Sequence, residues 1–158
     1  MNVMIAYYSW QGHTKKVTES LASKINAPTE RIEPVKESNM AMKAIMAITG
    51  LKSDIKPCKT DLDEIDHLVV ATPVWTGRPT PYINKYLSLL TNTQDKTFSV
   101  LVEMGSRGDE KTIEKIRNTM EKKGMRFVSS AVTVEKDVDA GEFDNTVSNL
   151  AESIKKLE

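Results

Sequence analysis

The 158-residue chain has few of the features that mark metalloproteins, secreted proteins or membrane proteins. It contains one cysteine, Cys58, so it can form no intramolecular disulfide and offers no cysteine cluster for zinc or an iron–sulfur centre. No apolar run approaches the roughly 20 residues that a membrane span requires. The first residues, MNVMIAYYSW, lack the basic segment and the cleavage site of a signal peptide. These absences predict a cytoplasmic protein with neither a metal site nor a membrane partner.

The chain also lacks an excess of charge of either sign. Lysine plus arginine number 22, and aspartate plus glutamate number 22. A chain with balanced charge lacks the excess of basic residues that binds nucleic acid or an anionic lipid surface, and we expect neither as a partner. The length suits one domain with its own core, and no repeat or linker interrupts it, so we expect a single domain over residues 1–158.

Short apolar runs alternate with helical periodicities along the chain. The predicted strands cover residues 2–8, 30–35, 67–72, 96–104 and 125–134. The predicted helices cover residues 14–26 and 38–52, and three more begin near residues 81, 109 and 142. Thr80 followed by Pro81 is a helix-start signal, Asp109 is expected to cap the next helix, and Gly124 is expected to end it. Strict alternation predicts an α/β protein, a three-layer α/β/α sandwich around a parallel sheet.

Three strand-to-helix loops have an unusual composition. They are SWQGHT at 9–14, TPVWTGRPTP at 72–81 and EMGSRGDE at 103–110. Ligands of open parallel sheets bind at the carboxyl ends of the strands, near the point where the strand order reverses. In a sheet of order 2-1-3-4-5, these three loops would meet at one edge. The sequence therefore predicts a ligand site there.

The first of these loops suits a phosphate group. A helix N-terminus offers free N–H groups and a partial positive charge. Ser9, Gln11, His13 and Thr14 add side-chain donors, and Gly12 lets the backbone approach a ligand. The loop has neither the Gly-Lys pair of a P-loop nor a three-glycine dinucleotide fingerprint, which favours a monophosphate over a triphosphate. The alternative is a strand-to-helix turn without a ligand.

These motifs resemble those of the flavodoxin family. The segment YYSWQGHTKKV resembles the family's loop for the FMN phosphate, and PVWTGRPTPYINKYL resembles its second FMN loop. EMGSRGD occupies the place of the family's Gly-rich loop at the pyrimidine edge of the flavin. The resemblance covers essentially the whole chain and implies a five-stranded parallel sheet of order 2-1-3-4-5 with FMN as cofactor. The implied FMN contacts are Ser9, Trp10, Gln11, Gly12, His13, Thr14, Pro73, Val74, Trp75, Thr76, Gly77, Glu103, Met104, Gly105, Arg107 and Gly108.

The chain departs from the family pattern in several places. Gln11 and His13 replace the commoner Thr and Asn of the phosphate loop, yet both can donate hydrogen bonds. The third loop has no aromatic residue, where many flavodoxins stack a tyrosine on the flavin, and the chain is not acidic. Arg78 and Arg107 lie in the loops that would flank the ring. They are either solvated surface residues or cations for the flavin N1 edge or an anionic partner.

Individual side chains allow more than one interpretation. We expect Trp75 to contact the flavin ring, while Trp10 either packs beside the phosphate loop or faces solvent. His13 is expected to be a hydrogen-bond donor or a helix-start residue rather than a catalytic acid. His67 is expected to be structural, and Cys58 an incidental thiol. We assign no catalytic side chain.

The resemblance implies two alternative functions. The first is an FMN-binding redox protein, a monomer or homodimer, that transfers electrons between protein partners. The second is an FMN-dependent NAD(P)H oxidoreductase acting on quinones or other small acceptors, because an open outer face of the flavin leaves room for a nicotinamide. Receiver domains share the sheet order but need acidic residues where this chain has Tyr8-Ser9 and Thr72-Pro73. A serine hydrolase needs a Gly-x-Ser-x-Gly elbow, and none occurs.

Overall fold

The computed structural model describes residues 1–36 and 53–157. The strands are β1 Val3–Tyr7, β2 Thr29–Arg31, β3 His67–Pro73, β4 Thr97–Met104 and β5 Arg126–Val134. The helices in the described ranges are α1 His13–Ile25, α2 Pro81–Leu89, α3 Asp109–Glu121, α4 Glu135–Ala140 and α5 Asp144–Lys155. The helix predicted over 38–52 lies outside the described residues. None of the helices described here is long and apolar enough to cross a membrane.

The five strands form one parallel sheet of order β2-β1-β3-β4-β5, which confirms the prediction. Strand β1 pairs with β3 in register from Val3 opposite His67 to Tyr7 opposite Ala71, and β3 pairs with β4 from His67 opposite Thr97 onward. On its other side β1 pairs with β2, which follows α1 in the chain. The order therefore reverses at β1, so a crevice opens between the carboxyl ends of β1 and β3.

Helices cover both faces of the sheet, as a three-layer α/β/α sandwich requires. Successive residues of a strand point to opposite faces, so the buried strands contribute to two separate cores. The core beneath α2 and α3 contains Met4, Ala6, Leu68, Val70, Phe98, Val100, Ile83, Leu87, Ile116 and Met120. The core beneath α1 and α5 contains Ile5, Tyr7, Val69, Ala71, Leu101, Val17, Leu21, Val147, Leu150 and Ile154. The near-continuous apolar runs of the central strands reflect this double burial.

Two local predictions were wrong in detail. Strand β2 ends at Arg31 rather than at residue 35, and Pro34 lies beyond it in an isolated antiparallel bridge to Ile55. The N-cap of α3 is Gly108, and Asp109 is the first helical residue, so its carboxylate caps no N–H group. At the start of α2 the prediction is confirmed, because the Thr80 hydroxyl accepts a hydrogen bond from the Ile83 N–H at 3.3 Å.

The C-terminal region also differs from the prediction. In place of a single helix from residue 142, β5 leads directly into the short helix α4, and α5 begins at Asp144. Gly141 separates the two helices with a φ of 77°, a conformation that glycine adopts without strain. Six residues are too few to show a helical period, which is why the sequence pattern did not reveal α4.

Candidate functional site

The three loops do meet at the carboxyl edge of the sheet. They enclose a cavity of about 220 Å³. Ten of the predicted site residues line it: Ser9, Trp10, Gln11, His13, Thr14, Pro73, Val74, Trp75, Glu103 and Gly105. Four more line an adjacent cleft: Thr76, Gly77, Arg107 and Gly108. Of the remaining two, Gly12 is the N-cap of α1 and Met104 is the last residue of β4, so both belong to the same loops.

The N-terminus of α1 is open toward this cavity. Its N-cap is Gly12, which has a φ of 101°, and no side chain caps the first N–H groups of the helix. A Cβ atom added at Gly12 would meet no atom within 4 Å. Uncapped N–H groups at a helix start attract an anion, because the helix dipole adds a partial positive charge. The backbone thus provides an accessible anion site at the place that the sequence predicts.

Ser9 gives the clearest sign of a missing hydrogen-bond acceptor. The residue is only 5% exposed, and its hydroxyl has no hydrogen-bond partner among the described residues. Buried polar groups in proteins are almost always hydrogen-bonded. Because Ser9 lines the cavity beside the α1 N-terminus, a ligand in the cavity is the natural acceptor. A phosphate ester fits this donor set.

Behind the first loop lies a buried carboxyl group, Glu103. It is 7% exposed, and burial is the main reason why its pKa is raised. The carboxylates of Glu135 and Asp139 raise the pKa further, whereas His13 and a hydrogen bond from Thr14 oppose the shift. The cavity therefore has an acidic end next to its anion site, and any phosphate bound there lies near carboxyl groups.

Helix α4 supplies most of this acidity and also fixes His13. The His13 Nε2 atom lies 2.8 Å from Asp139 Oδ1, and its Nδ1 atom lies 3.9 Å from Glu135 Oε1. Lys16 also donates to the Val138 carbonyl at 2.8 Å. The sequence predicted His13 as a hydrogen-bond donor or a helix-start residue; it is the first residue of α1, and its ring is held by α4. Sequence reasoning missed Glu135 as a cavity residue because it missed that helix.

The second loop contains a tight hairpin turn. Trp75 and Arg78 exchange two backbone hydrogen bonds of 3.0 Å, and the residues between them, Thr76 and Gly77, have φ values of 50° and 70°. Positive φ at both central positions is the signature of a type I′ turn. A β-branched threonine is strained in this region, so the fold holds it there. The turn presents its backbone to the cleft beside the cavity.

Trp75 is fixed by a cluster of aromatic rings. Its ring meets Tyr8, Tyr82 and Trp10 edge-on, with centroid distances of 5.8, 6.2 and 6.5 Å. Such contacts restrict the orientation of a ring that also lines the cavity. Trp10 is 40% exposed, so it packs beside the first loop and faces solvent at the same time.

The second and third loops touch through their backbones. A Cβ atom at Gly108 would lie 2.7 Å from the Gly77 Cα atom and 3.1 Å from Val74 Cγ1. The Val74 N–H also donates to the Glu103 carbonyl at 2.8 Å. Only glycine permits this approach, and the contact fixes the hairpin turn against the start of α3.

Two titratable residues that the sequence analysis considered, His67 and Cys58, lie outside the cavity lining. His67 is fully buried at the amino end of β3, with Nδ1 2.8 Å from the Thr97 hydroxyl, and burial lowers its pKa to about 4. Burial raises the pKa of the half-buried Cys58 thiol. Neither residue lines the cavity or the cleft beside it. In the described part of the chain, no group of three or more His, Cys, Asp or Glu residues could hold a metal ion.

Solved structures with this fold include several flavoproteins. A flavoprotein from Lactobacillus acidophilus NCFM in complex with FMN is 20% identical, with a TM-score of 0.71, over 88% of this chain and 97% of that chain. Oxidised flavodoxin 2 from Bacillus cereus is 14% identical, with a TM-score of 0.66, over the full length of both chains. An apo NADH:FMN oxidoreductase is 16% identical, with a TM-score of 0.65, over 99% and 88%. These similarities establish the flavodoxin-like fold.

Comparison of the amino-acid sequence with protein-family models identifies the family of the chain. No curated protein sequence matches the chain. The family model of the NADPH-dependent FMN reductases, however, matches residues 2–139, which include all three loops and α1 to α3. The chain therefore belongs to the NADPH-dependent FMN reductase family, a flavodoxin-like family of FMN-binding proteins.

Proposed function

We propose that the protein holds FMN in the cavity and transfers electrons to and from a protein partner. The observation that carries the proposal is the buried Ser9 hydroxyl, which has no hydrogen-bond partner among the described residues and lies next to the open N-terminus of α1. A phosphate accepting hydrogen bonds from Ser9 and from the first N–H groups of α1 satisfies both features. FMN carries one such phosphate.

Each loop has a separate task in this proposal. The first loop holds the phosphate through Ser9, Gln11, Gly12 and Thr14, and through the backbone N–H group of His13, whose ring is held by α4. The second loop holds the ring through Pro73, Val74, Trp75, Thr76 and Gly77, with Trp10 packed against Trp75. The third loop borders the ring through Met104, Gly105, Arg107 and Gly108, and its first residue, Glu103, lies at the phosphate end of the cavity. When bound, FMN supplies the redox chemistry, and the protein positions it and limits access of water.

The phosphate assignment can be tested with two buried hydroxyls. Ser9→Ala removes the proposed donor, and we expect the Kd for FMN to rise at least tenfold, because a hydrogen bond to a charged group contributes about 1.5–3 kcal/mol. Thr18→Val is the matched control, since the Thr18 hydroxyl on α1 is also buried and unpartnered within the described residues. Flavin fluorescence quenching measures both affinities. Equal affinity of Ser9→Ala and the unmodified protein would refute the assignment.

A second candidate function is an FMN-dependent NAD(P)H oxidoreductase. The family match over residues 2–139 favours it. The third loop, 103–110, has no aromatic side chain, which leaves room for a nicotinamide to approach the ring from that side. Both candidates use the same FMN site and differ in the molecules that give electrons to the flavin and take electrons from it.

Anaerobic absorbance spectroscopy separates the two candidates. The FMN-loaded protein is mixed with NADH and, in a separate experiment, with NADPH. If the protein is an electron carrier, the oxidised flavin bands persist in both mixtures and bleach on addition of dithionite. Rapid bleaching by either nucleotide assigns the reductase function instead. A protein that takes up no FMN contradicts both candidates.

A further inference from the structure

Four basic side chains lie near one another on the second loop, the third loop and α3, where the flavin ring is proposed to bind. Arg107 and Lys111 line the cleft beside the hairpin turn, and Arg78 and Lys115 line a groove between α2 and α3. The Lys111 side chain lies along the turn, since its Cδ atom would be 3.9 Å from a Cβ atom at Gly77. We call these four residues the basic rim.

The basic rim has no acidic partner within the protein as described. No carboxylate oxygen in residues 1–36 and 53–157 lies within 4.0 Å of its side-chain nitrogens. Other basic side chains do pair with carboxylates, as in Lys24–Asp144, Lys56–Glu33 and Arg117–Glu121. The charges of the basic rim are therefore available to a partner outside the chain.

The fold also holds these like charges close together. Lys111 and Lys115 are four residues apart on α3, a spacing at which like charges repel. The pKa of the half-buried Lys115 is lowered, first by burial and then by the positive charges of Arg78 and Lys111. An external anion would relieve this repulsion, whereas a cation would add to it.

Nearby acidic residues offset part of the charge of the basic rim. Asp109 and Glu110 line the same cleft as Arg107 and Lys111, in the first turn of α3, whereas the groove that holds Arg78 and Lys115 is lined by no acidic residue in the described part of the chain. Glu114 acts on Lys115 and raises its pKa, but its effect is the smallest of those on that group. The opposite end of the cavity is acidic, so an acidic surface would be attracted to the ring side and repelled from the other end.

We propose that the redox partner is a protein with an acidic surface around its redox centre, and that this surface docks on the basic rim. The inference rests on the electron-transfer function proposed above, because the partner must come close to a ring held at the hairpin turn. Complementary charge then orients the partner and raises its association rate.

The test uses two electron-transfer proteins of opposite charge. Plastocyanin is an acidic copper protein, and cytochrome c is a basic haem protein. In each reaction, one electron leaves the reduced FMN-loaded protein and converts Cu(II) to Cu(I), or ferric haem to ferrous haem. At low ionic strength we expect plastocyanin to react faster than cytochrome c, and we expect salt to slow the plastocyanin reaction.

A binding measurement locates the contact without electron transfer. Reduced plastocyanin is added to the oxidised FMN-loaded protein, and amide chemical shifts are followed by NMR. We expect the largest shifts at residues 76–78 and 107–115. Shifts confined to α4 would overturn the proposal. Saturation of the basic-rim amides by NADPH or inorganic phosphate, with no shifts from plastocyanin, would also overturn it and assign a small anion.

Two charge-reversal variants, one in the basic rim and one elsewhere on the surface, test whether the basic rim is the docking surface. The double variant Arg78→Glu/Lys115→Glu should weaken plastocyanin binding and slow its reduction at least tenfold, and should speed the reduction of cytochrome c. Lys155→Glu/Lys156→Glu makes the same change in net charge at the exposed end of α5 and should leave both reactions unchanged. Equal effects of the two variants would overturn the proposal. If the reduced, FMN-loaded variants still pass electrons to either acceptor protein in that case, only the docking surface is wrong and the electron-transfer function stands.

Discussion

Helices α1 and α3 both begin after a glycine N-cap with a positive φ, but the surroundings of the two glycines differ. Their N-caps, Gly12 and Gly108, have φ values of 101° and 100°, and neither helix has a side-chain cap. A Cβ atom at Gly12 would meet no atom within 4 Å, whereas one at Gly108 would lie 2.7 Å from the Gly77 Cα atom. One helix start is therefore open to a ligand, and the other is closed by a neighbouring loop.

The comparison shows that a glycine at a helix start does not by itself identify a ligand site. What separates the two positions is the loop opposite each of them. The hairpin turn closes over Gly108, while the buried Ser9 hydroxyl beside the start of α1 has no partner in the described chain. Three substitutions can test this difference.

The largest effect is expected for Gly108→Ala. Alanine in the positive-φ conformation of Gly108 costs about 1 kcal/mol. Overpacking of its methyl group against the hairpin turn adds about 1–3 kcal/mol. The free energy of unfolding should therefore fall by about 3 kcal/mol. Urea denaturation measures this change. Gly141→Ala is the control, because Gly141 also has a positive φ, 77°, but its Cβ atom would meet nothing within 4 Å. If both variants lose the same stability, the contact between the loops does not contribute.

Gly12→Ala should affect the ligand more than the fold. Its unfolding free energy should fall by about 1 kcal/mol, as in Gly141→Ala, because only the backbone conformation is strained. The Kd for FMN should rise about tenfold, or about 1.4 kcal/mol, because the new methyl group occupies space open to the ligand. Calorimetric titration with FMN measures the affinity. An unchanged Kd would mean that the open helix start is not the phosphate site.

Much of this arrangement could be predicted from the sequence. The apolar runs of β1, β3 and β4 identify strands buried on both faces, and Thr80 with Pro81 identifies the start of α2, because these signals depend on residues close in the chain. The loops that line the cavity were also predicted, since parallel strands bring their carboxyl ends to one edge.

Other features depend on distant contacts and could not be predicted in this way. Asp109 is a favourable capping residue by type, but the φ of 100° at Gly108, in contact with the hairpin turn, places the N-cap one residue earlier. The short helix α4 leaves no periodic pattern, so its carboxylates and their hold on His13 were missed. The carboxylates of α4 make the environment of Glu103 acidic, and one of them, Glu135, lines the cavity. No residue of α3 lines it.

The smallest and most specific effect is expected for Glu103→Gln. The pKa of Glu103 in the folded protein is raised, mainly by burial, so its contribution to stability is present below its unfolded pKa and is lost as pH rises through the folded pKa. The unmodified protein should therefore lose stability relative to Glu103→Gln as the pH rises from 4 to 8. Over the same range FMN should bind progressively more tightly to the variant than to the unmodified protein, because an ionised carboxylate repels the phosphate. Parallel pH profiles of the two proteins, for both stability and affinity, would show that Glu103 stays in one charge state and that the acidic end of the cavity does not act on the open helix start.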